Sequence, residues 1–170
     1  PEIAGEKAFN WQQAFPQVFE KGGFDVIIGN PPYGAKLDES SINFFRENYE
    51  SVIGHSEVYY IFSEKAISHL TKINGIIGFI IPNAWLSNKY AKKLREILLL
   101  KTTINNLVNF NRQIIFEDAN VETSIFILEK KLPKTENIVL VGQDLISQYS
   151  FLQSHWLLNE SYLISFASDN

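Results

Sequence analysis

Asn30-Pro31-Pro32-Tyr33 follows directly on the apolar run Phe24-Asp25-Val26-Ile27-Ile28-Gly29, and these four residues carry the most specific chemistry in the chain. A Val/Ile run bounded by Gly and Pro reads as a buried strand, and in open α/β sheets ligands bind beyond the carboxyl ends of strands. Asn30 stands at such an end. Two consecutive prolines hold φ near about −65° and bar helix from the residue before them, so the Asn side chain and the backbone carbonyls are presented in one stiff, extended arrangement. The partner this suits is a planar heterocycle bearing an exocyclic amine. Its nitrogen is a poor nucleophile while the lone pair is delocalised into the ring. Two acceptors that each take one N–H draw it toward a pyramidal, attacking geometry, and the Asn30 side-chain oxygen and the Pro31 carbonyl are the candidates. Tyr33 adds a flat face for stacking, worth about 1–3 kcal/mol against the few kcal/mol needed to pull a nucleotide out of a duplex. No acid, metal or covalent nucleophile is required.

Such residues need elements to position them. Ser56 to Phe62 opens a segment in which Tyr59, Phe62, Ala66 and Leu70 are spaced by three, four and four, which predicts one face of a helix. Ser56 is the expected N-cap, Glu57 suits the positive end, and Asn74-Gly75 supplies the stop. The apolar run Ile76 to Asn83, stopped by Pro82, predicts a strand buried on both faces of a parallel sheet. A helix is expected from about Ser87 to Leu100, with Tyr90, Leu94, Ile97 and Leu98 inward and Lys89, Lys92, Lys93 and Arg95 on a solvated face. Two strand signals follow, a weak one at Ile104 to Phe110 and a strong one at Glu122 to Glu129. The loop between them, Asn111 to Val121, carries Phe116, with Glu117 and Asp118 read as capping or solvating residues.

Upstream, Trp11, Phe15 and Phe19 at spacings of four predict a short helix that Pro16 interrupts or ends. The stretch from Gly34 to Gly54 reads as a connection with a short helix at Ile42 to Tyr49. Downstream, Leu132 to Asn137 is a turn, Ile138 to Val141 one more strand, and Asp144 to Asn170 a polar, aromatic-containing connection. The order strand, helix, strand, helix, strand, strand predicts an α/β fold.

With 170 residues, 45% of them hydrophobic, the chain can bury one substantial core. It has no run of 18 or more apolar residues, so no membrane span is expected. The absence of cysteine excludes disulfides, thiolate catalysis and cysteine-ligated zinc within these residues. His55, His69 and His155 lack metal-ligand spacing. A net charge of −4 argues against strong independent DNA binding, because nonspecific affinity depends on neutralising phosphates.

Phe24 to Gly34, FDVIIGNPPYG, resembles the catalytic motif of N6-adenine DNA methyltransferases of bacterial restriction-modification type, those whose target-recognition domain follows the catalytic domain. The resemblance continues through Tyr59-x-x-Phe62-x-x-x-Ala66-x-x-x-Leu70, through the Ile-x-Pro strand end and following Leu86 loop, and through Phe9-Asn10-Trp11 with Phe15-Pro16. It implies the second half of a Rossmann-like S-adenosylmethionine-dependent methyltransferase sheet with flanking helices. It further implies Asn30, Pro31, Pro32 and Tyr33 as catalytic residues, Tyr33 and Phe116 as contacts to a flipped adenine, and Asn30 and Phe62 as contacts to S-adenosylmethionine, without a metal.

Residues 1–23 then form a lead-in, 24–131 the C-terminal half of the catalytic domain, and 132–170 a strand and connection toward a target-recognition domain. The Gly-rich turn and the ribose-binding acid of such a sheet do not precede Phe24, so the cofactor site is expected to be incomplete in these residues, with the N-terminal half of the domain outside them. A start at Pro1 and the absence of methionine lead to the same expectation. Double-stranded DNA is the implied partner and the cytoplasm the implied compartment. The four-residue motif is also similar to that of glutamine and RNA guanine methyltransferases, and a noncatalytic interaction module of the same fold stays open.

Overall fold

The computed structural model describes residues 9–55, 57–111, 113, 115–116 and 121–166. Among these, six strands form one mixed sheet: β1 Phe24–Gly29, β2 Thr71–Pro82, β3 Thr103–Asn109, β4 Thr123–Glu129, β5 Ile138–Gly142 and β6 Gln148–Leu152, in the order β1-β2-β4-β3-β5-β6. β1 and β2 are parallel, as are β3 and β5. β4 runs antiparallel to both its neighbours, β2 and β3, and β6 antiparallel to β5. The parallel β1–β2 pair brings the carboxyl ends of both strands, and so Asn30 and Asn83, to one end of the sheet.

The helices are α1 Trp11–Ala14, α2 Pro16–Glu20, α3 Glu39–Asn48, α4 Val58–Lys65 and α5 Lys92–Lys101. Pro16 divides the lead-in as its chemistry requires: it occupies the first turn of α2, where its missing N–H costs nothing, and α1 stops before it. The rings of Trp11, Phe15 and Phe19 then gather edge-on around Phe24 at the start of β1. Asp38 caps α3, its carboxylate accepting the Ser41 N–H at 2.7 Å. The core lies on one face of the sheet, where Ile77, Phe79, Ile81, Phe126 and Leu128 meet Tyr59, Tyr60 and Ala66 beneath α4 and Leu94, Ile97 and Leu98 of α5.

Several expectations are corrected. Asn74-Gly75 does not stop the helix; the chain passes from α4 through a π-helical turn, Ala66–Leu70, straight into β2. Asn74, at φ 63°, and Gly75 form a bulge inside that strand instead. A Cβ on Gly75 would meet the Thr71 Cγ2 at 2.5 Å, which explains the glycine there by packing. The expected N-cap Ser56 lies outside the described residues, as do Glu117 and Asp118; the residue at the N-cap is Glu57. Two short 3-10 segments, Asn83–Leu86 and Lys89–Ala91, precede α5, so that helix begins at Lys92 rather than Ser87.

Arg95 is the largest departure. Placed on the solvated face by its charge, it is wholly buried. Its guanidinium donates to the carbonyls of Trp85 at 2.6 Å and Asn88 at 2.8 Å, and through two nitrogens to Ser161 at 3.0 and 3.2 Å. The segment from Asp144 onward is likewise more than a connection. It supplies β6 and the 3-10 segment Gln153–Leu158, whose Trp156 is fully buried against the core.

The strands read as buried are buried on one face only. Val26 and Ile28 of β1 are exposed, Ile28 at 83%, and Ile76, Ile80, Ile125 and Ile127 are half-buried beside them. β1 is also the sheet's edge, with backbone groups available for pairing. Expressed as these 170 residues, the chain is expected to self-associate with rising concentration in light scattering, and Ile28→Lys to suppress it. A constant monomer mass at high concentration would count against this.

Candidate active site

At the carboxyl end of β1, Gly29 lies under the Phe79 ring, which a Cβ would approach to 3.2 Å, so the strand turns out into the loop beside a buried aromatic wall. Asn30 is exposed, Pro31 buried and Pro32 exposed. The loop is held at its exit by Glu57, whose carboxylate accepts the Gly34 N–H at 3.4 Å. This ties the Pro-Pro segment to the start of α4, the helix that carries Phe62.

Asn30, Pro31, Pro32 and Phe62 all line one cavity of about 460 Å³. Phe62 is not core: its ring is 46% exposed, although Tyr59 and Ala66 on the same side of the chain are buried. The walls are mostly apolar, from Leu37, Val58 and Leu70, with Trp11 of the lead-in and Tyr49 of the α3 exit joining them. Neither of these two aromatics was singled out for the site from the sequence, because only the fold brings a residue 19 positions before Asn30 and one 19 after it to the same wall. Glu64 sets Tyr49 in place. Its buried carboxylate accepts the N–H of Glu50 at 2.9 Å and of Ser51 at 2.8 Å, and burial together with the Glu64 charge raises the Tyr49 hydroxyl above its ordinary pKa.

Tyr33 takes a different position. Half-buried, it packs against the core cluster and is not among the residues lining the cavity. Phe116 is half-buried in the β3–β4 loop and also lies outside the lining set. The roots of that loop are fastened to β2, since the Asn83 side-chain amide donates to Asn109 Oδ1 at 3.0 Å and to Glu122 Oε2 at 3.0 Å. Among the described residues no group of three or more His, Cys, Asp or Glu is placed to hold a metal ion, and no helix is long and apolar enough to cross a membrane.

A strand ending in Asn-Pro-Pro-Tyr beside a parallel β2, followed by an antiparallel strand inserted between two others, is the arrangement of the second half of a Rossmann-like methyltransferase sheet. Solved structures of that fold superimpose on it. The methyltransferase subunit of a type I restriction-modification system from Streptococcus thermophilus matches with a TM-score of 0.55 and 23% identity, over 82% of this chain and 31% of that one. The type IIG restriction endonuclease BpuSI matches with a TM-score of 0.54 and 23% identity, over 69% of this chain and 15% of that one.

The family model of the Eco57I restriction-modification methylases matches residues 2–116, and the chain belongs to that family. The Escherichia coli type II restriction enzyme and methyltransferase RM.Eco57I is 30% identical over 64% of the chain, and the Haemophilus influenzae type II methyltransferase M.HincII is 30% identical over 89%. The chain covers only 11% of the former's length and 30% of the latter's.

Proposed function

We propose that these residues are the acceptor-holding half of a DNA adenine N6-methyltransferase of a restriction-modification system, acting on an adenine turned out of the duplex. The observation that carries this reading is the placement of Asn30, Pro31 and Pro32 on the wall of a cavity that also holds an exposed aromatic ring, Phe62. The Asn30 side-chain oxygen and the Pro31 carbonyl hold the two N–H groups of the exocyclic amine and localise its lone pair. Tyr33, and Phe116 from the β3–β4 loop, border the base.

The methyl donor this reading implies is S-adenosylmethionine, which when bound supplies an electrophilic methyl carbon. The cavity fits part of such a molecule: Phe62 offers a face for its adenine, apolar walls surround that face, and Asn30 offers a polar side chain. No Gly-rich turn or ribose-binding acid precedes Phe24, so the remaining contacts fall to residues outside these 170. Phe62→Ala in the whole protein is expected to weaken donor binding roughly fivefold or more, the order of a single stacking interaction. Unchanged donor affinity in calorimetry would return Phe62 to a packing role.

The deciding experiment treats unmethylated DNA with the whole protein and methyl donor, then quantifies N6-methyladenine in the nucleoside digest. A product that falls at least about fivefold in Tyr33→Ala is the expected result. Methylation of protein or RNA but not DNA would overturn the acceptor assignment, and absence of donor binding would favour an interaction module.

A further inference from the structure

Immediately beyond Tyr33-Gly34 the chain enters a second cavity, of about 420 Å³, whose charged lining is Arg46 of α3 and Lys36, with His55 beside them. This is an unusual concentration in a chain of net charge −4. Among the described residues no carboxylate lines the cavity, those of Glu39 and Glu47 on α3 included. Three others close by in sequence are engaged elsewhere: Asp38 caps α3, Glu50 holds Lys101, and Glu57 accepts the Gly34 N–H. Among the described residues, Lys36 and Arg46 enter no ion pair and donate no side-chain hydrogen bond, whereas Lys72, Lys93 and Lys101 each have a carboxylate partner. Two uncompensated cations facing one concavity favour an anion.

The position of the cavity identifies the anion. It shares Leu37, Phe45 and Ile61 as a common wall with the cavity of Asn30, so the two adjoin. A nucleotide turned out about its backbone keeps its phosphates attached on either side of the sugar. We infer that Lys36 and Arg46, with His55 beside them, bind a backbone phosphate of the DNA strand whose base occupies the Asn30 loop. The inference rests on the reading of that loop as a base-holding one. The site contributes affinity and register rather than sequence choice, since phosphate contacts carry no base information.

The test replaces Lys36 and Arg46 with Gln, singly and together, in the whole protein and measures binding to an unmethylated duplex over a range of salt concentrations. A phosphate that no cation neutralises any longer lowers the slope of log affinity against log salt by about 0.9, so the double variant is expected to flatten it by roughly one and each single variant by less. The weakening is expected on every duplex sequence alike. Lys134→Gln, in the turn after β4 at the opposite end of the sheet, serves as the control and is expected to leave the slope unchanged. A slope in the double variant equal to the parent's, or one matched by Lys134→Gln, overturns the proposal. Both replaced side chains are exposed, so folding is not at stake. Binding is read apart from transfer: a parent that binds DNA but leaves no N6-methyladenine refutes the acceptor assignment, while the slope still decides the phosphate site.

Discussion

Asn30→Ala in the whole protein is expected to lower single-turnover methyl transfer by at least about 100-fold, roughly 3 kcal/mol of barrier, the scale found when one preorganised polar partner of a transition state is removed. The effect is large because, among the described residues lining the cavity, Asn30 alone carries a side-chain amide or carboxylate oxygen. In the proposed reading Pro31 contributes through its carbonyl, which no side-chain change removes, and one acceptor alone would leave the second N–H of the amine in the ring plane. The stiffness of the Pro-Pro segment also prevents the loop from adjusting to bring another group in.

In the proposed reading Tyr33 serves a different step. Its ring is half-buried against the core, and on that reading Tyr33→Ala is expected to cost the stack, about 1–3 kcal/mol, which is some five- to 150-fold in the hold on an extruded nucleotide. Tyr33→Phe keeps the ring and is expected to stay within a few-fold of the parent. Activity retained in both alanine variants would sink the assignment.

Removing the Arg95 guanidinium is expected to be the most destabilising single change outside the site. Arg95→Leu leaves the buried Trp85 carbonyl and the part-buried Ser161 carbonyl without the guanidinium, while the Asn88 carbonyl keeps the Ala91 N–H, and buried acceptors left unmade cost about 1–3 kcal/mol each. A destabilisation of about 3 kcal/mol or more should lower the melting temperature by roughly 6–12 °C in a domain of this size. Arg95→Lys should recover only part of this, because a single ammonium cannot span carbonyls on both sides as the planar fork does. Hydrogen exchange should quicken first in the segment around Ser161. That segment is pinned by Arg95 on one side and by the Ile164 N–H bond to the Leu86 carbonyl, 3.1 Å, on the other. A melting point within about 2 °C of the parent would show that Arg95 has no such role.

The strand-loop junction at Asn30 was legible because its signal is local: an apolar run, a glycine and two prolines fix a strand end regardless of what surrounds it. The inward residues of α5 were legible for the same reason, since Leu94, Ile97 and Leu98 declare a helical face by spacing alone. Arg95 was not, because spacing puts it at the margin of that face and charge argues for water; only the carbonyls of Trp85 and Asn88 in the preceding 3-10 turns, with that of Ser161 from a distant segment, reverse the argument. Phe62 shows the opposite case. Its spacing suits a core residue, yet it is 46% exposed on the wall of the cavity that Asn30 lines. The exposed face of β1 could not be read from Val26 and Ile28, whose types suit a strand covered on both sides.

The antiparallel β4 also sets a schedule for folding. It pairs with β2 on one side and β3 on the other, and these two strands have no direct pairing of their own. Until residue 129 has left the ribosome, both therefore present open edges, one of them the run Ile76 to Ile81. Closing the sheet must await pairing between residues some fifty positions apart, such as Ile77 with Leu128, and structures built on such distant pairings assemble slowly. During synthesis this stretch is the one a chaperone would have to shield. A strand seven residues long thus decides when the Asn30 loop, two strands away, acquires a fixed place to stand.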